Sequence, residues 1–183
     1  MPVRFDILTL FPEMIEGIIN SSILKRAIQK EIIEINIINF RDFSTNKHST
    51  VDDYAYGGGA GMLISVEPIH LAMKDIKGID KAKKLLMSPG GKTLTQEKVQ
   101  ELANNDHIVI VCGHYEGIDA RILNYVDEEV SIGDYVFSGC LNLENITILN
   151  GVQSIGTTVF NGCNNLVSIT FKSENVPTIS VGA

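Results

Sequence analysis

Apolar and polar positions alternate along the chain in two kinds of block, short apolar runs and helix-spaced stripes. "VRFDILTL" (3–10) predicts a buried strand, and "IEINIINF" (33–40), "KLLMS" (84–88) and "HIVIVC" (107–112) predict three more. Between the first two, Ile15, Ile18, Ile19, Ile23 and Ala27 keep the spacing of one helical face, so a helix is predicted from Pro12 to about Lys30. Proline suits its first position. Glu13 and Glu16 lie near its start and Lys25, Arg26 and Lys30 near its end, as the helix dipole favours. A second helix is predicted at about 94–104, with Thr93 and Gln96 as its capping residues, and a long polar, glycine-rich connection runs to about residue 66. The order βαβ…βαβ predicts an α/β fold, a mostly parallel sheet with helices on both faces.

The pattern then changes period. Ile132, Phe137, Cys140, Leu143, Ile146 and Ile148 recur 23 residues later as Ile155, Phe160, Cys163, Leu166, Ile169 and Phe171. "SIGDYVFSGCLNLENITI" and "SIGTTVFNGCNNLVSITF" are one unit written twice. A period in the twenties with L-x-x-I-x-I spacing predicts a short β-solenoid with one strand per coil, a plain β-meander being the alternative. The unit resembles surface-protein leucine-rich repeats of the F-x-G-C-x-x-L-x-x-I-x-I type. Two domains are therefore expected, 1–139 and a repeat tail at 140–183 whose first unit overlaps 131–139.

Charge follows the same division. Only Glu144, Lys172 and Glu174 are charged in 135–183, against a net charge of −7 over the 183 residues. That balance argues against a broad basic surface for nucleic acid, though not against a local patch. No apolar run approaches the roughly 20 residues that span a bilayer, and Asp6, Glu13 and Glu16 interrupt the N-terminal stretch, so no membrane association and a cytoplasmic location are expected. Cys112, Cys140 and Cys163 form no CxxC pair and have no histidines at zinc spacing. They are expected to be buried, unreactive thiols.

Glycine loops carry the candidate chemistry: "YGGGAGM" (56–62), "SPGGKT" (88–93), "GHYEGID" (113–119) and "SIGDY" (131–135). Glycine lets a ligand approach the main chain closely and permits positive φ. Taken singly each loop is as well explained by a tight turn; four in one domain favour a ligand. "SPGGKT" departs from a P-loop, because Leu86 stands where the first glycine is needed and Pro89 removes an N–H from the phosphate cradle. His114 and Glu116 form an H-x-E pair without a third metal ligand, so no metal is expected.

"DILTLFPEM", "INFRDFSTNKHSTVDDYAYGGGAGM", "LMSPGGKTLTQ", "CGHYEGIDARI" and "DEEVSIGDYVFSG" together resemble the bacterial tRNA (guanine-N1)-methyltransferases, over residues 1 to about 139. The resemblance implies a trefoil-knotted, S-adenosylmethionine-dependent enzyme that methylates guanine N1 beside the anticodon and works as a homodimer, with tRNA as partner. It implies a cofactor pocket from three loops: Leu86, Ser88, Pro89 and Gly90; Gly113, Tyr115, Glu116 and Gly117; Ile132, Gly133, Asp134, Tyr135, Val136 and Phe137. The last would read the adenine through its main chain, and Tyr115 and Glu116 would flank the methionine part. Tyr56, Gly57, Gly58, Gly59, Gly61 and Met62 would face the target guanine.

The likeness breaks where Cys140 and Leu141 replace the family's Gly-Glu and the repeat replaces its long apolar helix. The family's general-base aspartate has no counterpart in these residues, so the catalytic residue is unassigned and impaired activity is expected; whether the knot closes is left open. "SIGDY" suits both the adenine loop and the repeat, which suggests a chimaera. Two other readings stand beside this one: a cofactor-binding remnant whose tail is an interaction module, and a surface protein with an α/β leader, which the missing signal peptide opposes.

Overall fold

The computed structural model describes residues 2–54, 62–114, 117–132, 142–148, 154–155, 159–160, 163–172 and 178–179. Strand β1 (Val3–Thr9) is the first predicted run, and its inward residues Asp6 and Leu8 are fully buried. The predicted helix 12–30 is two helices, α1 (Pro12–Ile19) and α2 (Ser22–Gln29). Ser22 has φ +47°, outside the right-handed helical region, and that residue breaks the run. Neither helix contains a buried residue, and Met14, Ile18 and Ile23 are 66%, 59% and 70% exposed. The apolar face is present in the pattern but uncovered in this chain.

Strand β2 (Ile33–Asn39) leads into a 3-10 turn (Phe40–Phe43), where the Asn39 side chain accepts from the Arg41 N–H and Phe40 is fully buried. The predicted long connection is more ordered than its composition suggests. It contains an antiparallel hairpin, β3 (Asp52–Tyr54) and β4 (Met62–Ile64), paired Asp52↔Ile64, Asp53↔Leu63 and Tyr54↔Met62. Helix α3 (Val66–Asp75) follows, and buries Pro68, Ile69, Ala72 and Met73 on one side.

Strand β5 (Lys83–Thr93) is longer than predicted, since "SPGGKT" continues it in extended form instead of turning. Helix α4 (Gln96–Leu102) is capped by Thr95, whose hydroxyl accepts from the Lys98 N–H, and not by Thr93. Strand β6 (His107–Cys112) matches its prediction; a 3-10 turn (Ala120–Asn124) and a strand the pattern did not show, β7 (Glu128–Ser131), follow it.

The central sheet has the order β2-β1-β6-β5-β7, and β1–β2, β1–β6 and β5–β6 are all parallel. The fold is α/β with a mostly parallel sheet. Its main core gathers Leu8, Phe40, Ile64, Ile69, Val109, Val111 and Ile122, each no more than 1% exposed. The chain divides into a unit of Met1–Ser88 with Thr95–Glu129, and a unit of Pro89–Leu94 with Val130–Ala183.

In the second unit, β8 (Asn145–Ile148) and β10 (Ser168–Phe171) pair in parallel, Ser168↔Asn145 through Phe171↔Ile148, so residues of equal place in the two sequence units stand side by side. Ser168 Oγ donates to Asn145 Oδ1 at 2.7 Å across this joint. β9 (Ser154–Ile155) and β11 (Thr178–Ile179) form a second parallel pair. Ile148, Ile155 and Val159 make a small core, with Ile146, Phe160 and Phe171 against it.

An ion-pair cluster in the first unit ties α4 to β5 and β7, neighbouring strands at one side of the sheet. Lys98 Nζ lies 2.7 Å from Glu128 Oε2 and 2.9 Å from Glu101 Oε1, and Lys83 Nζ lies 2.9 Å from Glu128 Oε1. The Lys98 hydrogen bond is the main reason the Glu128 carboxyl titrates below its usual 4.5, and Glu128 in turn holds the Lys98 ammonium above its usual 10.5. A depressed carboxylate stabilises the fold above its unfolded value and loses that contribution as pH falls through the folded one. A raised ammonium contributes below 10.5 and loses it as pH rises. Lys98→Met is therefore expected to flatten the decline in melting temperature on acidification below 4.5, measured by thermal unfolding across a pH series.

Candidate functional site

Topology singles out one end of the sheet. After β1 the chain turns toward β2, whereas after β6 it leaves toward β7 beyond β5, so adjacent parallel strands send their connections to opposite sides. The crevice outside the carboxyl ends of such a pair is where open α/β sheets bind ligands. Residues from both strand ends meet there: the Phe11 and His114 rings lie edge to face, with centroids 4.6 Å apart. A hydrogen bond from the Phe11 N–H to Thr9 Oγ1, 3.1 Å long, fixes the turn that brings Phe11 to this edge.

The third strand adjoins them. Leu86↔Val111 and Met87↔Cys112 are paired in register, so Ser88 lies beside the point where Gly113 leaves β6, while β5 itself runs on to Thr93. Leu86 is buried in the core, which leaves only its main chain for a ligand. Gly113 is exposed, and a Cβ there would meet Ile118 Cδ1 and Cγ1 at 3.2 Å. Gly117 has φ +123°, a conformation that side-chain-bearing residues avoid, so glycine is required on conformational grounds. Cys112, just inside the strand, is half-buried, and burial pushes its thiol pKa up, consistent with an unreactive role.

The loop after β6 is also stitched to the hairpin. Ile64 N–H donates to the Gly117 carbonyl at 3.0 Å, Asp119 N–H donates to the Ile64 carbonyl at 2.9 Å, and Ile64 bridges Ile118 in parallel. Ile64 is fully buried at this joint. Asp119 closes the loop by accepting from the Arg121 N–H at 2.9 Å and from its guanidinium Nη2 at 2.6 Å, and the Arg121 side chain is the first cause of its lowered pKa. The hairpin strands that bracket residues 55–61 are thereby held against residues 117–119.

Among the residues expected in the site, Leu86, Ser88, Gly113 and Gly117 fall at this edge and Met62 in β4. Pro89, Gly90 and Ile132 belong to the second unit, where Leu94 N–H donates to the Ser131 carbonyl at 2.7 Å and Ile132 is 62% exposed. Tyr56, Gly57, Gly58, Gly59, Gly61, Tyr115, Glu116, Gly133, Asp134, Tyr135, Val136 and Phe137 lie outside the described residues. Phe11, Ile64 and Ile118 were not expected; their roles depend on contacts distant in sequence, which no local signal reveals.

Comparison with known proteins bears on the family and fold to which this sheet edge belongs. The family described as tRNA (Guanine-1)-methyltransferase TrmD matches residues 3–174. A tRNA (guanine-N(1)-)-methyltransferase of Staphylococcus haemolyticus is 54% identical over 138 residues, 75% of this chain and 56% of that protein. Its counterpart in Mycoplasma mycoides is also 54% identical over 138 residues, 75% of this chain and 57% of its own length. A crystal structure of tRNA (m1G37) methyltransferase from Aquifex aeolicus superposes with a TM-score of 0.67 at 39% identity, covering 74% of this chain and 62% of that one. The chain thus spans little more than half the length of the curated relatives it matches. With a family match across nearly the whole sequence and relatives above half identity over three quarters of it, the chain belongs to the tRNA (guanine-1)-methyltransferase family.

Proposed function

We propose that this chain binds S-adenosylmethionine at the carboxyl edge of its sheet and descends from an enzyme that methylates guanine N1 of tRNA beside the anticodon. The observation that carries the reading is the joint at Ile64, which holds residues 117–119 and strand β4 together near a topological switch point. The residues described there fit such a cofactor: two glycines with accessible or specially shaped main chain suit an adenosine read by backbone groups. Tyr115, Glu116 and residues 133–137 would complete the pocket in a trefoil-knotted arrangement, and Tyr56 to Met62 would face the guanine.

The bound cofactor supplies an electrophilic methyl group on sulfur. Transfer forms an N1–CH3 bond and breaks the S–CH3 bond, and the N1 proton must pass to a base within hydrogen-bond reach. None of the described side chains at the sheet edge is assigned that role. Lack of a positioned base costs about 10²–10⁴ in rate. The reading expects cofactor binding with methyl transfer, slowed to that degree where no base is supplied. Function as a homodimer is part of the proposal, supported by exposed Met14, Ile18, Ile23 and Ile32 (58% exposed), apolar surface of the kind a subunit interface covers. A cytoplasmic location follows from the tRNA substrate; no helix among the described residues is long and apolar enough to cross a membrane.

The tail is read as two leucine-rich-repeat coils of foreign origin joined near 139, making the chain a chimaera. The parallel pairing of equivalent repeat positions supports the repeat reading. The same pairing favours a second reading, in which the first unit binds cofactor without transfer and the tail is an interaction module. Calorimetric titration with S-adenosylmethionine, followed by a methyl-transfer assay on tRNA with guanosine beside the anticodon, separates the two. Binding with slow transfer supports the first, binding without transfer the second, and no binding removes both.

A further inference from the structure

We propose that the tail joins copies of this chain head to tail, the outer edge of β10 in one copy pairing in parallel with the outer edge of β8 in the next. The argument starts from which main-chain groups the existing joint uses. Ser168 and Lys172 donate their N–H groups to the Glu144 and Ile148 carbonyls, so alternation along a strand turns the main chain of Ile169 and Phe171 away from β8. By the same alternation Ile146 and Ile148 face β10, and Asn145 and Thr147 face away from it.

The repeat makes these outer edges complementary. Ile169 and Phe171 are the repeat equivalents of Ile146 and Ile148, so the outer edge of β10 presents the pattern with which β8 already binds β10. Asn145 and Thr147 are likewise equivalent to Ser168 and Thr170, so the outer edge of β8 presents the pattern with which β10 already binds β8. A second copy would continue the joint seen within one chain, and Asn145 and Ser168 would again face each other across it.

Exposure points to the same occupant. Ile146 is half-buried against the small core of Ile148, Ile155 and Val159, whereas its equivalent Ile169 is 37% exposed and Val167 is 81% exposed. Among the described residues no third strand joins β8 and β10. The surface carries almost no charge to oppose approach, since Glu144, Lys172 and Glu174 are the tail's charged residues. Such a joint is heterologous: each copy uses one edge as donor and the other as acceptor, so it propagates without closing. It rests on the repeat register and not on cofactor binding, and either can fail alone.

Sedimentation velocity of the full chain over a hundredfold range of concentration tests the proposal. The expected result is a mass that climbs past that of a dimer as concentration rises. Ile169→Pro removes an outward N–H from β10, and Thr147→Pro removes one from β8, neither of which the internal joint uses. Each variant alone is expected to lose the growth past a dimer, and an equimolar mixture to regain a joint that neither variant makes alone, because each supplies the edge the other lacks. Should a proline alter the circular-dichroism spectrum, Ile169→Lys takes its place. A wild-type mass that never exceeds a dimer overturns the proposal, and so does growth that persists in Thr147→Pro, which would mean that β10 pairs with another β10. Calorimetric affinity for S-adenosylmethionine is expected to stay within twofold of wild type in every variant.

Discussion

Asp6→Ala is expected to destabilise the chain by about 3 kcal/mol, the lower end of the cost of breaking a buried ion pair by removing one partner. Asp6 is fully buried in β1, and three side chains converge on its carboxylate. Arg4 Nε lies 3.0 Å from Oδ2 and Asn36 Nδ2 donates to Oδ1 at 2.9 Å, while His107 Nε2 contacts Oδ2. The four residues belong to three neighbouring strands, so the cluster fixes the register β2-β1-β6 that brings Phe11 and His114 to one edge. Alanine would leave a cationic guanidinium and two ring or amide nitrogens facing an empty site. The cost stays at the low end because the Arg4 and His107 side chains keep 29% and 13% of their exposure and can recruit water. For a chain of this size the melting temperature should fall by roughly 6–12 °C. Asp6→Asn keeps the shape and one acceptor, and is expected to lose less. A fall below about 1 kcal/mol in urea titration would place the cluster in the weakly coupled class of surface pairs.

The strands were the most legible elements, and physics says why. β1 and β6 are interior strands of the sheet and β2 pairs in parallel with β1 at its edge, and parallel strands read as near-continuous apolar runs. β5 was found at its apolar start, but its extension through Pro89 and two glycines could not be distinguished from a loop by composition. The break between α1 and α2 escaped notice because Ser22 takes a positive φ that nothing in its residue type demands. Helix α3 did carry a signal, since Ile69, Ala72, Met73 and Ile76 keep helical spacing and are all buried. The β3–β4 hairpin did not; three-residue strands flanking a glycine run hold no period to read.

Site residues divide along the same line. Gly113 and Gly117 were legible because glycine reports a local backbone requirement, which the φ of Gly117 and the surroundings of Gly113 bear out. Ile64, Ile118 and Phe11 were illegible because each looks like ordinary core until the fold brings it to the loop. The tail inverts this: its strand register, a long-range property, was visible in the 23-residue offset between its two units.

Gly113→Val should weaken S-adenosylmethionine binding at least tenfold, about 1.4 kcal/mol, and the reason lies in what the glycine touches. A Cβ at this position already stands 3.2 Å from two carbons of Ile118, and valine adds two methyl groups on a stiff Cβ that cannot swing clear at no cost. Ile118 cannot simply yield, because its neighbours Gly117 and Asp119 are hydrogen-bonded to Ile64. The strain must therefore move either the main chain of the 113–117 loop or the hairpin, and each displacement disturbs a part of the proposed pocket. Adding Ile118→Ala opens the space and is expected to return most of the lost affinity, a rescue that an obstruction by valine of the ligand alone would not give. Calorimetry reads the affinity and thermal unfolding reads the clash. If Gly113→Val lowers the melting temperature while cofactor affinity stays at the wild-type value, the loop is strained but unused, and the carboxyl edge of the sheet is not where the cofactor binds.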